Sequence, residues 1–189
     1  MTLQELFPIL PQKSDSLFLR GSELRFALGF LLVFGLLQYA YSTSRGSAVE
    51  RVIIDIATVR PSVAIINLIS PQEQARAAGQ RILSPRGGLS VLNGCEGTES
   101  IFLLLAAILS FAAPWRHKLT GAVLGTLLIY LLNQVRIVSL YFAAHTNRRW
   151  FDLLHGYVAP TLIIVLGCLF FLWWANREGA ACNEPTQPA

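Results

Sequence analysis

Residues 26–41, 101–113, 119–144 and 158–175 are apolar runs, and they constrain this chain more than any other feature. A bilayer offers no water to the backbone, so a run that crosses it must satisfy its own N–H and C=O groups as a helix. About 20 largely apolar residues span the hydrocarbon, with roughly 17 as the lower end. The third and fourth runs are long enough alone. The first qualifies with Leu24 and Ser42 at the interface, and the second predicts a helix from near Gly97 to near Trp115. At 53% hydrophobic and 14% charged, the 189 residues are far more apolar than a soluble domain and suffice for one membrane domain. The expected fold is an all-α membrane protein of about four transmembrane helices. An extracytoplasmic amphipathic helix and β-hairpin complete it.

The first run is read as a retained span, because Gln38-Tyr39-Ala40-Tyr41 lacks the small-residue pattern of a cleavage site. Residues 1–25 are then a cytoplasmic lead, 26–175 the membrane domain and 176–189 a disordered cytoplasmic tail. Arg116-His117-Lys118 lies in a short loop between spans, which places that loop in the cytoplasm and residues 43–97 on the other side. The net charge of +4 suits a surface of anionic lipids. The scattered arginines carry no basic stripe or aromatic platform, so no nucleic-acid partner is expected.

Within 42–98, Val49, Val52, Ile53 and Ile56 recur at helical spacing opposite Glu50, Arg51 and Asp55, predicting an amphipathic helix at the interface. Pro61 is expected to interrupt it and open a second short helix through Ile69, with Pro71 as its stop. Residues 80–92 predict a hairpin around Ser84-Pro85-Arg86-Gly87-Gly88. Its second strand leads directly into Asn93-Gly94-Cys95-Glu96-Gly97.

Counting the runs places Cys95, Arg136 and His155 on one membrane face, whichever way the chain inserts. Free cysteines are usually small buried hydrophobes, yet Cys95 stands among Asn93, Gly94, Glu96 and Gly97. A helix beginning beside it would favour the thiolate, and Glu96 would oppose that. Arg136 sits near the hydrocarbon boundary, where it either snorkels to lipid phosphate or grips a carboxylate or oxyanion. Asn133 lies one turn back on the same face. His155 is a loop histidine with a pKa suited to proton transfer at neutral pH; Asp152 is placed to orient it, and His145 is its rival. Cys95, Cys168 and Cys182 fall at three depths and cannot pair with one another.

The stretches Asn93-Gly94-Cys95-Glu96-Gly97 and Asn133-Gln134-Val135-Arg136, with His155 ahead of the last span, resemble the exosortase/archaeosortase membrane transpeptidases. The short length and four expected spans look like the compact types, exosortase H being one candidate. Many members carry Cys-Ser-Gly or Cys-Thr-Gly where this chain has Cys95-Glu96-Gly97. The resemblance implies a bacterial inner-membrane cysteine peptidase whose site faces the extracytoplasmic side. Cys95 would be the nucleophile, His155 the base and acid, and Arg136 the oxyanion stabiliser. Asn93, Glu96 and Asn133 would bind substrate, and no metal or cofactor is implied. Its partners would be membrane lipids and exported proteins ending in a motif, an apolar helix and a basic cluster. The competing reading is a non-catalytic assembly factor, or a transporter subunit in which Arg136 binds lipid or anion.

Overall fold

The computed structural model describes residues 13–92 and 94–181. Helix α1 is Lys13–Thr43, α2 is Ala48–Ile69, α3 is Thr98–Ser110 and α4 is Trp115–Thr146. The last helix, α5, runs from Arg148 through Ala159–Ala181, past the expected boundary at 175. Between α2 and α3 lie strands β1 Arg76–Ala78, β2 Arg81–Ser84 and β3 Gly87–Ser90. Asn93, Cys182 and the end of the tail lie outside the described residues.

The chain is an all-α membrane protein, and its described residues include four helices long and apolar enough to cross a bilayer, but the set of four differs from expectation. The segment predicted as a span at 101–113 is a helix of 13 residues, about 20 Å long. It stops at Ser110 because Phe111 turns extended ahead of Pro114. Lys118 Nζ donates to Leu109 O at 2.7 Å, capping a carbonyl that α3 leaves open. Conversely, α2 has 22 residues and a mean hydropathy of 1.8, which meets the criterion for a span.

Packing divides the molecule into two levels. In the lower one Leu104, Ile108, Ile129, Ile163 and Trp174 join α3, α4 and α5. Gly125 permits this, since a β-carbon there would lie 2.7 Å from Leu104 and 2.9 Å from Phe170. Helix α1 closes the bundle through Phe26 against Phe171 and Tyr41 edge-on to Phe102. It leaves Leu28, Leu31, Leu32 and Leu36 exposed, the surface that lipid chains would solvate. The upper level gathers Ile54, Val59 and Ile66 of α2, Ile82 of the sheet, Val91, and Ile137, Val138 and Tyr141 of α4. Thus α2 lies against the far part of α4, not among the lower helices.

Helix α2 is continuous through Pro61, contrary to the expected break. Ahead of the proline, Val52–Val59 widens to π geometry and Arg60 N bonds Asp55 O. Proline brings no N–H, which leaves Ala57 O without its helical donor. Gln134 Nε2 of α4 supplies one at 3.3 Å, while Gln134 Oε1 accepts from Ser62 Oγ at 2.7 Å. One buried amide therefore repairs the backbone and fastens α2 to α4.

The expected hairpin is present as β2 and β3, with Ser84 opposite Gly87 and Arg81 opposite Ser90. Strand β1 adds a third, antiparallel member. Arg86 of the turn reaches Glu73 at 2.8 Å, and Tyr141 Oη donates to the other oxygen of Glu73 at 2.8 Å. The Arg86 bond, helped by Tyr141, holds the Glu73 carboxyl below its usual range. This buried carboxylate pins the hairpin to α4.

Candidate active site

Between the sheet and α3 the chain makes a tight passage. Val91 N bonds Gln80 O, and Cys95 N bonds Leu92 O at 2.9 Å. Gly94 and Gly97 adopt positive φ of 92° and 82°, a conformation that glycine takes without strain. Gly97 has a second reason to be glycine: a β-carbon there would sit 2.8 Å from Asn133 Cγ. The passage thus lays residues 94–97 directly against α4 one turn before Arg136.

Cys95 is half-buried against the upper core. Burial pushes its thiol above the ordinary range, the Arg136 charge pulls it back, and Glu96 adds to the rise. The helix that was expected to favour the thiolate begins at Thr98, with Gly97 as its cap, so Cys95 lies outside the first turn. With burial the largest influence, the resting group is a thiol and needs a base.

Glu96 is 5% exposed. Its Oε1 accepts from Tyr41 Oη at 2.9 Å and Thr98 Oγ1 at 3.1 Å. Among the described residues Glu96 Oε2 is buried with no partner, and so are Asn133 Oδ1 and Arg136 Nε. Leaving a buried polar atom unpaired costs about 1–3 kcal/mol. These three atoms lie around one passage, where a water or a ligand could pair them.

The structure brings together Cys95, Glu96, Asn133 and Arg136. It does not join His155 to them. That ring is exposed and stacked on Phe151 at 5.5 Å, with no hydrogen bond or charge contact to Cys95 or Arg136 among the described residues. Its depth does match. Gly121 faces Trp174, Gly125 faces Phe170 and Ile129 faces Gly167. Continued, this antiparallel register sets His155 abreast of Leu140, about one turn beyond Arg136. Asp152 does not orient His155 as expected; it pairs with Arg148 at 3.4 Å. His145 bonds Tyr141 O at 2.8 Å and lies beside Gly87, within the Glu73 network. His117 stacks on Trp174 at the opposite end of the bundle. The site partners that sequence reading missed are Tyr41 and Thr98. Thr98 follows Glu96 at two residues, but Tyr41 is 55 positions away and no local pattern announces it.

A family model described as Transmembrane exosortase (Exosortase_EpsH) matches residues 16–174, most of the chain and every residue of this site. No curated protein and no solved structure matches.

Proposed function

The chain belongs to the transmembrane exosortase family, membrane transpeptidases that process exported proteins carrying sorting signals, and on that premise we propose a cysteine mechanism centred on Cys95. Its sulfur attacks the scissile carbonyl of a C-terminal sorting signal and forms a thioester. His155 takes the thiol proton and returns it to the leaving amine. Arg136 stabilises the oxyanion, and Asn93, Glu96 and the Asn133 amide bind the substrate.

The observation that carries this reading is the trio of unpartnered buried atoms on Glu96, Asn133 and Arg136, set around a half-buried thiol. Arg136 Nε is a donor that costs stability when empty and suits charge that develops only during reaction, while Glu96 Oε2 and Asn133 Oδ1 are acceptors suited to the substrate's N–H groups. The raised thiol explains why a base is required. Catalytic contacts are often loose before substrate enters, and His155 at nearly the depth of Arg136 is the base we assign.

The lower bundle is the membrane domain in this reading, in the bacterial inner membrane. The α2–sheet level is its extracytoplasmic cap, and a membrane-held signal presents its cleavage motif to Cys95 at fixed depth. Processing of a co-expressed exported protein bearing such a signal tests it. Cys95→Ala should abolish maturation while the variant still inserts, and mass spectrometry of the wild type should trap an acyl adduct on Cys95. Maturation that persists in Cys95→Ala would remove the enzyme reading and leave the assembly-factor alternative.

A further inference from the structure

We propose that the free edge of β3 is where the extended motif of the sorting signal docks, adding to the sheet as a fourth strand that runs parallel to β3 and delivers its scissile bond to Cys95. This rests on the cysteine reading above and names the surface that presents the substrate.

Val91 N bonds Gln80 O at 2.8 Å, so Gln80 and Val91 form a hydrogen-bonded pair. Bonded and unbonded pairs alternate along an antiparallel ladder. Ile82–Leu89 and Ser84–Gly87 are then bonded, while Arg81–Ser90 and Leu83–Gly88 are not. Arg81 and Leu83 turn their N–H and C=O to Ala78 and Arg76 of β1. Gly88 and Ser90 turn theirs to the open side of β3, the edge of the sheet. Both residues are exposed, and among the described residues no backbone hydrogen bond reaches that side. An open row of backbone groups invites pairing, and proteins usually blunt it with charge or proline. The β1 edge carries Arg76. Gly87-Gly88-Leu89-Ser90 carries neither device.

Helix α4 gives the direction. A β-carbon on Gly87 would lie 3.2 Å from His145 Nε2, and one on Gly97 2.8 Å from Asn133 Cγ. Asn133 lies about 18 Å below His145 along α4, at 1.5 Å per residue. The chain from β3 to the passage therefore descends toward the lower bundle. A sorting signal runs the same way, because its apolar helix follows the motif into the membrane, so the added strand is parallel to β3. Ser90 N–H would take a carbonyl of the motif, and Ser90 O the N–H two residues later, as a parallel ladder requires. The leading part of the motif lies along β3, and its scissile end meets the turn in which Cys95 N bonds Leu92 O. Main-chain bonds give the edge its hold on an extended peptide, whatever the side chains.

The test co-expresses the full-length protein with one exported protein of the same genome that ends in a motif, an apolar helix and a basic cluster. Ser90→Pro deletes the outward N–H and no bond of the sheet, a place where an edge strand tolerates proline. Measured against Ser90→Ala, which shares the loss of the hydroxyl contact with Arg81, maturation should fall about tenfold or more, with the melting temperature unchanged. Ala77→Pro makes the same change on the outward side of β1 and should leave maturation as in wild type. Cross-linking decides the matter if proline at 90 unfolds the protein. Ser90→Cys, in a variant lacking Cys95, Cys168 and Cys182, is oxidised with single cysteines stepped through the motif. Disulfides should form at alternate motif positions, since alternate side chains share a face. Leu92→Cys, exposed further down, should trap positions nearer the apolar helix. Normal maturation by a folded Ser90→Pro, cross-links with no period of two, or a disulfide joining two copies at position 90 would overturn the proposal. The cross-links need no thioester, so the two readings fail separately. Alternating cross-links with maturation that persists in Cys95→Ala remove only the cysteine mechanism, and Cys95-dependent maturation without them removes only the added strand.

Discussion

At the scale of residues, the site is a balance of opposed influences on one sulfur. Burial raises the Cys95 thiol, Arg136 lowers it and Glu96 raises it. Alkylation by iodoacetamide needs the thiolate, so its rate should climb with a midpoint above the ordinary thiol value of about 8.5. Arg136→Gln removes the lowering charge and should move the midpoint further up; Glu96→Gln should move it down. Identical midpoints in all three would show that neither charge reaches the sulfur. Asn133 supplies a second test. It is 1% exposed and its Oδ1 has no partner, so Asn133→Leu should leave thermal stability equal or higher. Turnover should nevertheless fall by about 10-fold, the cost of one lost substrate hydrogen bond of about 1.4 kcal/mol. A variant that loses stability and keeps turnover would make Asn133 a packing residue. Cys95, Glu96, Asn133 and Arg136 were all legible as candidates, because polar residues at the edges of apolar runs stand out. Their state was not: the orphaned atoms and the grip of Tyr41 on Glu96 depend on a contact 55 residues apart.

At the scale of elements, local pattern succeeded where the period was strong and failed where a distant partner decided the outcome. The hairpin was written in its turn residues. Strand β1, only Arg-Ala-Ala, has no β-branched residue to announce it. Pro61 read as a break because its missing N–H normally is one; Gln134, 77 residues from Ala57, supplies the missing donor. That repair makes a testable cycle. Gln134→Leu should destabilise the protein by about 1–3 kcal/mol, since Ala57 O loses its side-chain donor while Ser62 Oγ keeps only its bond to Thr58 O. Pro61→Ala restores an N–H for Ala57 O, so the double variant should lose less than the sum of the two. Denaturant or thermal melting in detergent reads both. Strict additivity would mean that Gln134 does not serve the proline.

At the scale of the whole molecule, length and hydropathy permit α2 to cross a membrane, and packing argues that it does not. From His117 to Asn133, α4 rises about 24 Å, and this stretch faces α3 and α5; the full 32 residues rise about 48 Å. A hydrocarbon core of about 30 Å therefore covers the lower bundle and leaves the far part of α4 outside, where α2 and the sheet are packed. The sequence could not decide this, because an amphipathic cap helix and a span share the same apolar content here. Single cysteines in a Cys-free variant can decide it. Ala48, Arg76, Arg116 and Arg149 are exposed; Ala48 and Arg76 bracket α2, Arg116 starts α4 and Arg149 follows its end. An impermeant maleimide applied to intact cells should label positions 48, 76 and 149 and spare 116. If α2 crosses the bilayer, positions 48 and 76 must fall on opposite sides and only one of them will label. That outcome would separate the sheet leading to Cys95 from the α1 end that carries Tyr41, which the hydrogen bond from Tyr41 to Glu96 does not allow. Labelling of 48 and 76 together, with 116 protected, is therefore the expected result.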